Sequence, residues 1–294
     1  MRNIRGERVK GLLLIFGLAC TAYSASASGP DLDRARKLYN LTEFEQSLQL
    51  LQPMPNKTAE VYELIGRDYF GLGEFKKAID SFEKAAAIEP GNAEFQLWLG
   101  RAYGRRAETS SMLTAPSLAN KARQYFEKAA QLDPANLEAQ SDLFEYYLEA
   151  PGFLGGGFEK ASNVAEQISR LSPVEGHWAQ AKLAEKRKEY SKAEAQLRRA
   201  VELAPQQIGR LIDLAKLFTR QGRYHEADLS LAKAEQLEPN SPKLMFAKAD
   251  LYIRSKRNLD QARDLLKRYL NCALTPDDPP RAHAEKLLKQ VQGS

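Results

Sequence analysis

Beyond Pro30 the apolar residues recur at intervals of three and four positions, which is the helical period. Glycine or proline interrupts this pattern about every fifteen to twenty residues, so the chain is predicted to form short antiparallel helices joined by turns. No stretch beyond Pro30 has the alternation of apolar and polar residues that is typical of a strand. The sequence therefore predicts an all-α fold.

A helix end followed by proline recurs five times along the chain. The five prolines are Pro90, Pro134, Pro173, Pro205 and Pro239, and their spacings are 44, 39, 32 and 34 residues. A period near 34 indicates a helix–turn–helix repeat, in which no single unit buries its apolar face alone and stacking forms the core.

The clearest copy runs from residue 59 to residue 90 and matches a known pattern of aromatic, small and apolar positions. The matching residues are Tyr62, Ile65, Gly66 and Tyr69 in the first helix and Ala78, Phe82, Ala85 and Pro90 in the second. With these motifs the chain resembles the tetratricopeptide repeat (TPR) family over residues 59–275. The resemblance implies a right-handed α-solenoid of about six stacked helix–turn–helix repeats.

Shorter elements flank the array. Residues 31–54 are predicted to form an N-terminal helix pair, and residues 277–292 a C-terminal capping helix. Small residues occupy the predicted crossings of the two helices of each repeat, where they would let the backbones approach closely. They are Gly66, Gly100, Ala215 and Ala249 in first helices, and Ala78, Ala122, Ala161, Ala193, Ala227 and Ala262 in second helices.

Two repeats exceed the common length, and the extra residues are assigned to the turn between their first and second helices, at 105–120 and 149–158. Because equivalent turns of neighbouring repeats line one edge of a stack, the two insertions are expected to meet. One interpretation is that Met112, Leu113 and Pro116 pack against Phe153, Leu154 and Phe158. The other is that Phe153 and Leu154 stay open and extend a binding surface.

The first 27 residues have the organisation of a secretory signal peptide. Four basic and one acidic residue precede the short apolar run from Gly11 to Cys20, and Ala25-Ser26-Ala27 fits a cleavage site. We expect export, to a bacterial periplasm, with cleavage after Ala27 and no membrane span afterwards. The alternative is a lipoprotein anchored through Cys20.

Charge and composition add little to this interpretation. The formal charge of +5 includes +3 from the first ten residues, which leaves +2 and no concentrated basic face for nucleic acid. No HExxH, CxxC or G-x-S-x-G motif occurs, and Gly155-Gly156-Gly157 lacks the Gly-Lys-Ser/Thr ending of a phosphate loop. We therefore expect no enzyme activity, no metal and no cofactor.

The expected function is a scaffold that binds a protein or peptide partner on its concave face in the cell envelope. The alternatives are an envelope assembly factor, anchored as a lipoprotein, and an accessory subunit of an envelope enzyme. Partner contacts are assigned to first-helix positions that point away from the second helix, and to the second insertion. They are Arg67, Trp98, Arg101, Arg105, Asp142, Trp178, Lys182 and Lys216, with Phe153 and Leu154. Each tryptophan could instead fill a gap between repeats.

Overall fold

The structure is a computed structural model that describes residues 29–292. The predicted signal peptide, its cleavage site after Ala27 and the alternative anchor Cys20 lie outside the described residues. Within residues 29–292 there are fifteen α-helices and no strand. The helices are α1 (Pro30–Asn40), α2 (Phe44–Leu51), α3 (Ala59–Gly71), α4 (Phe75–Ile88), α5 (Ala93–Glu108), α6 (Ala115–Leu132), α7 (Leu137–Glu149), α8 (Phe158–Leu171), α9 (Pro173–Lys186), α10 (Tyr190–Leu203), α11 (Ile208–Arg220), α12 (Tyr224–Leu237), α13 (Pro242–Arg254), α14 (Leu259–Leu270) and α15 (Arg281–Gln292).

The helices pair in chain order and the pairs stack side by side, so the fold is the predicted α-solenoid. Odd-numbered helices are the first helices of their pairs and even-numbered helices are the second. Each second helix packs between its own first helix and the first helix of the next pair. First helices of neighbouring pairs also touch, for example α3 with α5 and α11 with α13. Among the helices of residues 29–292, none is long and apolar enough to cross a membrane.

Side-chain caps begin several of the first helices. The Thr58 hydroxyl accepts a hydrogen bond from the Val61 N–H at the start of α3, and Asn92 and Asn136 cap α5 and α7 in the same way. Such a cap satisfies an N–H that has no partner inside the helix. The residues between repeats therefore help to define where the next first helix begins.

Most turns inside a pair have three residues, and the middle residue has a positive φ angle. That residue is Gly73 (75°) between α3 and α4, Lys188 (62°) between α9 and α10, and Gly222 (72°) between α11 and α12. The N–H after it donates back into the first helix, as Glu74 does to the Tyr69 carbonyl at 2.9 Å. This geometry reverses the chain within three residues.

The small residues lie at close helix crossings, as predicted. A Cβ atom on Gly66 would lie 2.5 Å from Cε1 of Phe82, and one on Gly100 would lie 2.5 Å from Cδ1 of Phe126. The alanines of the second helices, such as Ala122 and Ala227, are no more than 1% exposed. Each ring therefore fills the space that the absent side chain leaves, which fixes the spacing of the pair.

The first predicted insertion, 105–120, is mostly not a loop. Its first residues continue α5 and its last ones belong to α6, so these helices have 16 and 18 residues where α3 and α4 have 13 and 14. Pro116 lies in the first turn of α6, where a missing N–H breaks no helical hydrogen bond. Only residues 109–114 connect the two helices.

The second predicted insertion is a loop at residues 150–157 that contains a 3₁₀ turn, Gly152–Leu154. It contacts α6, where Gly155 lies against the Arg123 side chain. The apolar side chains of the two insertions nevertheless do not cover one another: Met112, Leu113 and Phe153 are 92%, 93% and 81% exposed. The interpretation that they pack together was wrong, because the longer α5 and α6 carry the 109–114 turn outward while the second loop folds against the side of α6.

The buried side chains form three larger groups along the stack. A central group extends from α4 to α13, an N-terminal group joins α1, α2 and α3, and a C-terminal group joins α13, α14 and α15. Helix α13 belongs to two groups, since Leu244 and Leu251 face the central one while Met245 and Tyr252 face the last.

Candidate functional site on the first-helix face

The first-helix face is the surface formed by residues of α3, α5, α7, α9, α11 and α13 that point away from the second helices. In its first half, Trp98 is the central residue. Its ring is half-buried and stacks on Phe82, with centroids 5.8 Å apart and planes at 23°. Guanidinium carbons of Arg67 and Arg101 lie 4.6 and 5.1 Å from the ring centroid, and Nε1 donates to Glu94 at 2.9 Å. The polar edge and the exposed part of this ring therefore already have partners within the chain.

The arginines around Trp98 bridge neighbouring repeats. Arg67 of α3 pairs with Glu94 of α5 at 2.9 Å, and Arg101 of α5 pairs with Asp142 of α7 at 2.6 Å. Burial raises the pKa of Asp142, and the Arg101 guanidinium offsets part of that shift because it favours the charged carboxylate. The predicted contacts Arg67, Arg101 and Asp142 thus form ion pairs across the stack.

The same pattern of ion pairs continues along the face. Lys186 of α9 pairs with Glu149 of α7 at 2.9 Å, Arg210 of α11 with Glu175 of α9 at 3.2 Å, and Arg220 of α11 with Glu185 of α9. Partly exposed pairs of this kind contribute little to the free energy of unfolding. Their consequence for binding is larger, since a partner that used these charges would have to displace an existing pair.

Trp178 does not lie on the exposed surface. Its side chain is 9% exposed and packs edge to face against Phe144 of α7, with centroids 5.6 Å apart. The cations of Arg210 and Lys182 lie 5.6 and 5.8 Å from its ring centroid. The expectation of a surface tryptophan here is corrected: Trp178 fills the gap between neighbouring first helices, and Lys182 extends across its rim.

The remaining predicted contacts differ in how freely they are exposed. Arg105 is exposed, pairs with Glu108 at 2.5 Å and extends over the Phe75 ring. Lys216 has a side-chain exposure of 45% and its ion-pair contact, with Asp213, spans 3.5 Å. In the loop, Phe153 is exposed and Leu154 is half-buried. Trp178, Lys182 and Lys216 line one recess of the described part of the chain, and Arg101, Arg105 and Asp142 line another. Phe153 lines neither of them.

The second half of the face contains a cavity of about 720 Å³ between α11, α13 and the segment 277–283. The ring of Phe246 lies in its apolar part beside Ala247 and Leu251, in edge-to-face contact with His283 at 5.1 Å between ring centroids. The polar residues around it are Lys216, Thr219, Arg220, Lys243, Asp250, Arg254, Ser255, Asp277 and Asp278.

Lys243 is the cavity residue that sequence reasoning missed and that is best placed for a ligand. It is exposed, and no residue of the described range 29–292 forms an ion pair with it. A signal existed, since residues 243, 247, 250 and 254 follow one face of α13 at helical spacing. The wall formed by residues 277–283 carries no such signal, because it depends on how the last helix folds back.

Comparisons with known proteins agree with this architecture. Residues 66–106 match the family model described as TPR repeat, and residues 155–208 and 212–279 match the model described as tetratricopeptide repeat. Among curated proteins, no relative matches the sequence.

Two solved structures illustrate the likeness of fold. One is a tetratricopeptide repeat protein from Parabacteroides merdae, with a TM-score of 0.58, 14% identity, and coverage of 89% of this chain and 97% of that chain. The other is a thermophilic TPR protein from Thermus thermophilus, with a TM-score of 0.50, 20% identity, and coverage of 68% of this chain and 97% of that chain. Together with the family matches over more than half of its length, the repeated helix pairs show that the chain belongs to the tetratricopeptide repeat family.

Proposed function

We propose that this protein is a non-catalytic scaffold of the cell envelope that binds an extended segment of a protein partner on its first-helix face. TPR arrays are in general protein-interaction modules. The observation that carries the proposal is the cavity between α11, α13 and residues 277–283, which combines an apolar part with exposed cations. The first half of the face supports the proposal less well, because its charges pair with one another.

The composition of the cavity favours a particular kind of segment. The half-buried Ala247, with the buried Phe246 and Leu251 beside it, lines the apolar part that would take one side chain of the partner. Lys243 has no ion-pair partner in residues 29–292, and Lys216 is held by a single contact of 3.5 Å, so both are available for an acidic group. The partner segment therefore carries an apolar side chain and, next to it, a carboxylate.

Two substitutions test this site without removing a buried side chain. Lys243→Glu reverses the charge, and Ala247→Trp fills the cavity from its half-buried wall. We expect each to reduce the capture of partner from an envelope extract by about tenfold or more, with unchanged helical content. Lys233→Glu is the matched control, because Lys233 is exposed on the second helix α12.

If both variants capture the same partner as strongly as the unchanged protein, the partner uses another surface and the proposed site is wrong. Trp178 is unsuitable for this test. Because it is buried, its replacement by alanine would leave a cavity in the stack and change stability together with binding.

The location in the envelope has its own test. The proposed cleavage after Ala27 gives an exported protein that begins at Ser28, and the alternative gives a protein that begins at an acylated Cys20. Intact-mass measurement of the protein purified from the envelope distinguishes the two. Retention of Met1 on the exported protein would contradict both.

A further inference from the structure

The turn edge is the surface formed by the turns between first and second helices of five successive pairs: residues 109–114, 150–157, 187–189, 221–223 and 255–258. The three most exposed large hydrophobic side chains of residues 29–292 all lie on it. They are Met112 and Leu113 at the α5–α6 turn and Phe153 in the α7–α8 loop. Large apolar side chains that are this exposed, and concentrated at neighbouring turns, indicate a surface that contacts another molecule.

The loop that carries Phe153 has a defined conformation. Gly155 has a φ angle of +84°, and a Cβ atom on Gly156 would lie 1.8 Å from the Ala150 carbonyl oxygen, so both positions need glycine. Tyr146 Oη donates to the Leu154 carbonyl and Lys160 Nζ to the Gly155 carbonyl, each at 2.9 Å. These contacts hold the loop while Phe153 points to solvent, so the exposure of the ring belongs to a fixed structure.

The rest of the turn edge is basic. The three turns that follow the loop, 187–189, 221–223 and 255–258, contain five basic residues and one acidic residue. Arg223 and Arg257 are paired with carboxylates, at 2.5 Å to Glu194 and 3.3 Å to Asp228. The cations without an ion-pair partner are therefore the ones that remain available to a ligand at this edge.

Four cations on or beside the turn edge have no ion pair within residues 29–292. They are Arg106 at the end of α5 and, in the later turns, Arg187, Lys188 and Lys256. The last three are exposed, and the Arg187 guanidinium also lies 3.9 Å from the centroid of the Phe158 ring. Apolar tips and cations without ion pairs on one edge are a combination that binds an anionic lipid surface, since the tips enter the boundary between headgroups and acyl chains while the cations face the headgroups.

We propose that the turn edge docks on an anionic lipid surface, with Met112, Leu113 and Phe153 inserted and Arg187, Lys188 and Lys256 against the headgroups. A protein partner fits less well, because side chains that are 81% to 93% exposed are not set in a recess that would enclose a partner's side chain. Docking through the turn edge leaves the first-helix face open to its own partner. This proposal does not depend on the binding site described above.

A fluorophore that reports polarity tests insertion at the tip itself. The label is placed at Phe153→Cys in the full chain with Cys20→Ser and Cys272→Ser, and the control label at Leu229→Cys, a position on α12 that is 57% exposed. On vesicles with one third phosphatidylglycerol we expect a blue shift at position 153 and none at position 229. Pure phosphatidylcholine vesicles should give neither. An unshifted label at 153 on the anionic vesicles, equal shifts on both lipids or equal shifts at both positions would overturn the proposal.

Charge variants test the headgroup contacts. The triple variant Arg187→Gln, Lys188→Gln and Lys256→Gln should need about tenfold or more lipid to reach half of the maximal blue shift at position 153. The control variant Lys76→Gln, Lys128→Gln and Lys233→Gln removes the same charge from exposed lysines of second helices and should bind normally. Equal effects of the two variants would contradict the proposal. A variant in which Met112, Leu113 and Phe153 are replaced by Ser would also contradict the proposal if it lost partner capture but bound vesicles normally. That result would show that the turn edge binds a protein.

Discussion

Replacing Gly100 with alanine is expected to lower the free energy of unfolding by about 2 kcal/mol. The new methyl group would lie 2.5 and 2.6 Å from two ring carbons of Phe126, which is 7% exposed. The ring cannot move away without disturbing the crossing of α5 and α6. This overpacking costs more than the roughly 1 kcal/mol that alanine gains over glycine inside a helix.

The same helix provides the control. Gly104 lies one turn further along α5, and a Cβ atom there would meet its nearest neighbour, Cβ of Ala122, at 4.0 Å. Gly104→Ala should therefore stabilise the protein by up to about 1 kcal/mol. Urea unfolding of the two variants measures both effects. Changes of the same sign would show that the close crossing at Gly100 is not what determines the result.

A second large effect is expected at Asp68, where we predict that Asp68→Asn stabilises the protein at neutral pH. The side chain is fully buried in α3, and neither carboxyl oxygen has a hydrogen-bond partner in the described part of the chain. Burial raises the pKa of Asp68 to about 8. The carboxyl group is therefore mostly protonated in the folded protein at pH 7.

The sign of the pH dependence follows from this shift. Between about pH 4 and pH 8 the unfolded chain releases the proton that the folded chain keeps, so the free energy of unfolding falls as the pH rises. By pH 7 this loss amounts to roughly 4 kcal/mol. Asp68→Asn removes it, since the amide stays neutral in both states. We expect the free energy of unfolding of the variant to exceed that of the unchanged protein by an amount that increases from pH 5 to pH 8. At pH 4 the two proteins should differ little.

Urea-unfolding midpoints measured at intervals across this pH range test the prediction. Asp80→Asn, at an exposed position of α4, is the control and should leave the pH dependence of the unchanged protein intact. A parallel pH dependence in the Asp68→Asn variant would show that Asp68 is ionised in the folded protein.

The periodic features of this fold could be predicted from the sequence, because the same residue types recur at the same spacing in each repeat. The helix pairs and the close crossings at Gly66 and Gly100 follow from residue types at fixed spacing. Features that depend on contacts between repeats could not be predicted in this way. Nothing in the sequence around Arg101 indicates that Asp142, 41 residues later, is its partner.

The same limit applies to single residues and to the two long turns. Asp68 follows Arg67 in a helix, so the sequence predicts a surface carboxylate. In the structure it faces the interior between α2 and α3. The repeat alignment located the extra residues of the longest repeat, but the boundary between helix and turn moved because Arg105–Glu108 and Ala115–Asn120 continue the helices. Length alone does not reveal whether added residues form a loop or lengthen a hairpin.

The division of the buried side chains into a central group and two terminal groups has a consequence for how the protein loses its structure. A globular domain with one core unfolds as a unit, but here α1 and α2 of the N-terminal group can open while α4 to α13 remain packed. Backbone amides of the terminal helices should then exchange with deuterium sooner than those of the middle of the stack. The ends would also be the first segments exposed to a protease, so the chain would be shortened from its termini rather than cut through the centre.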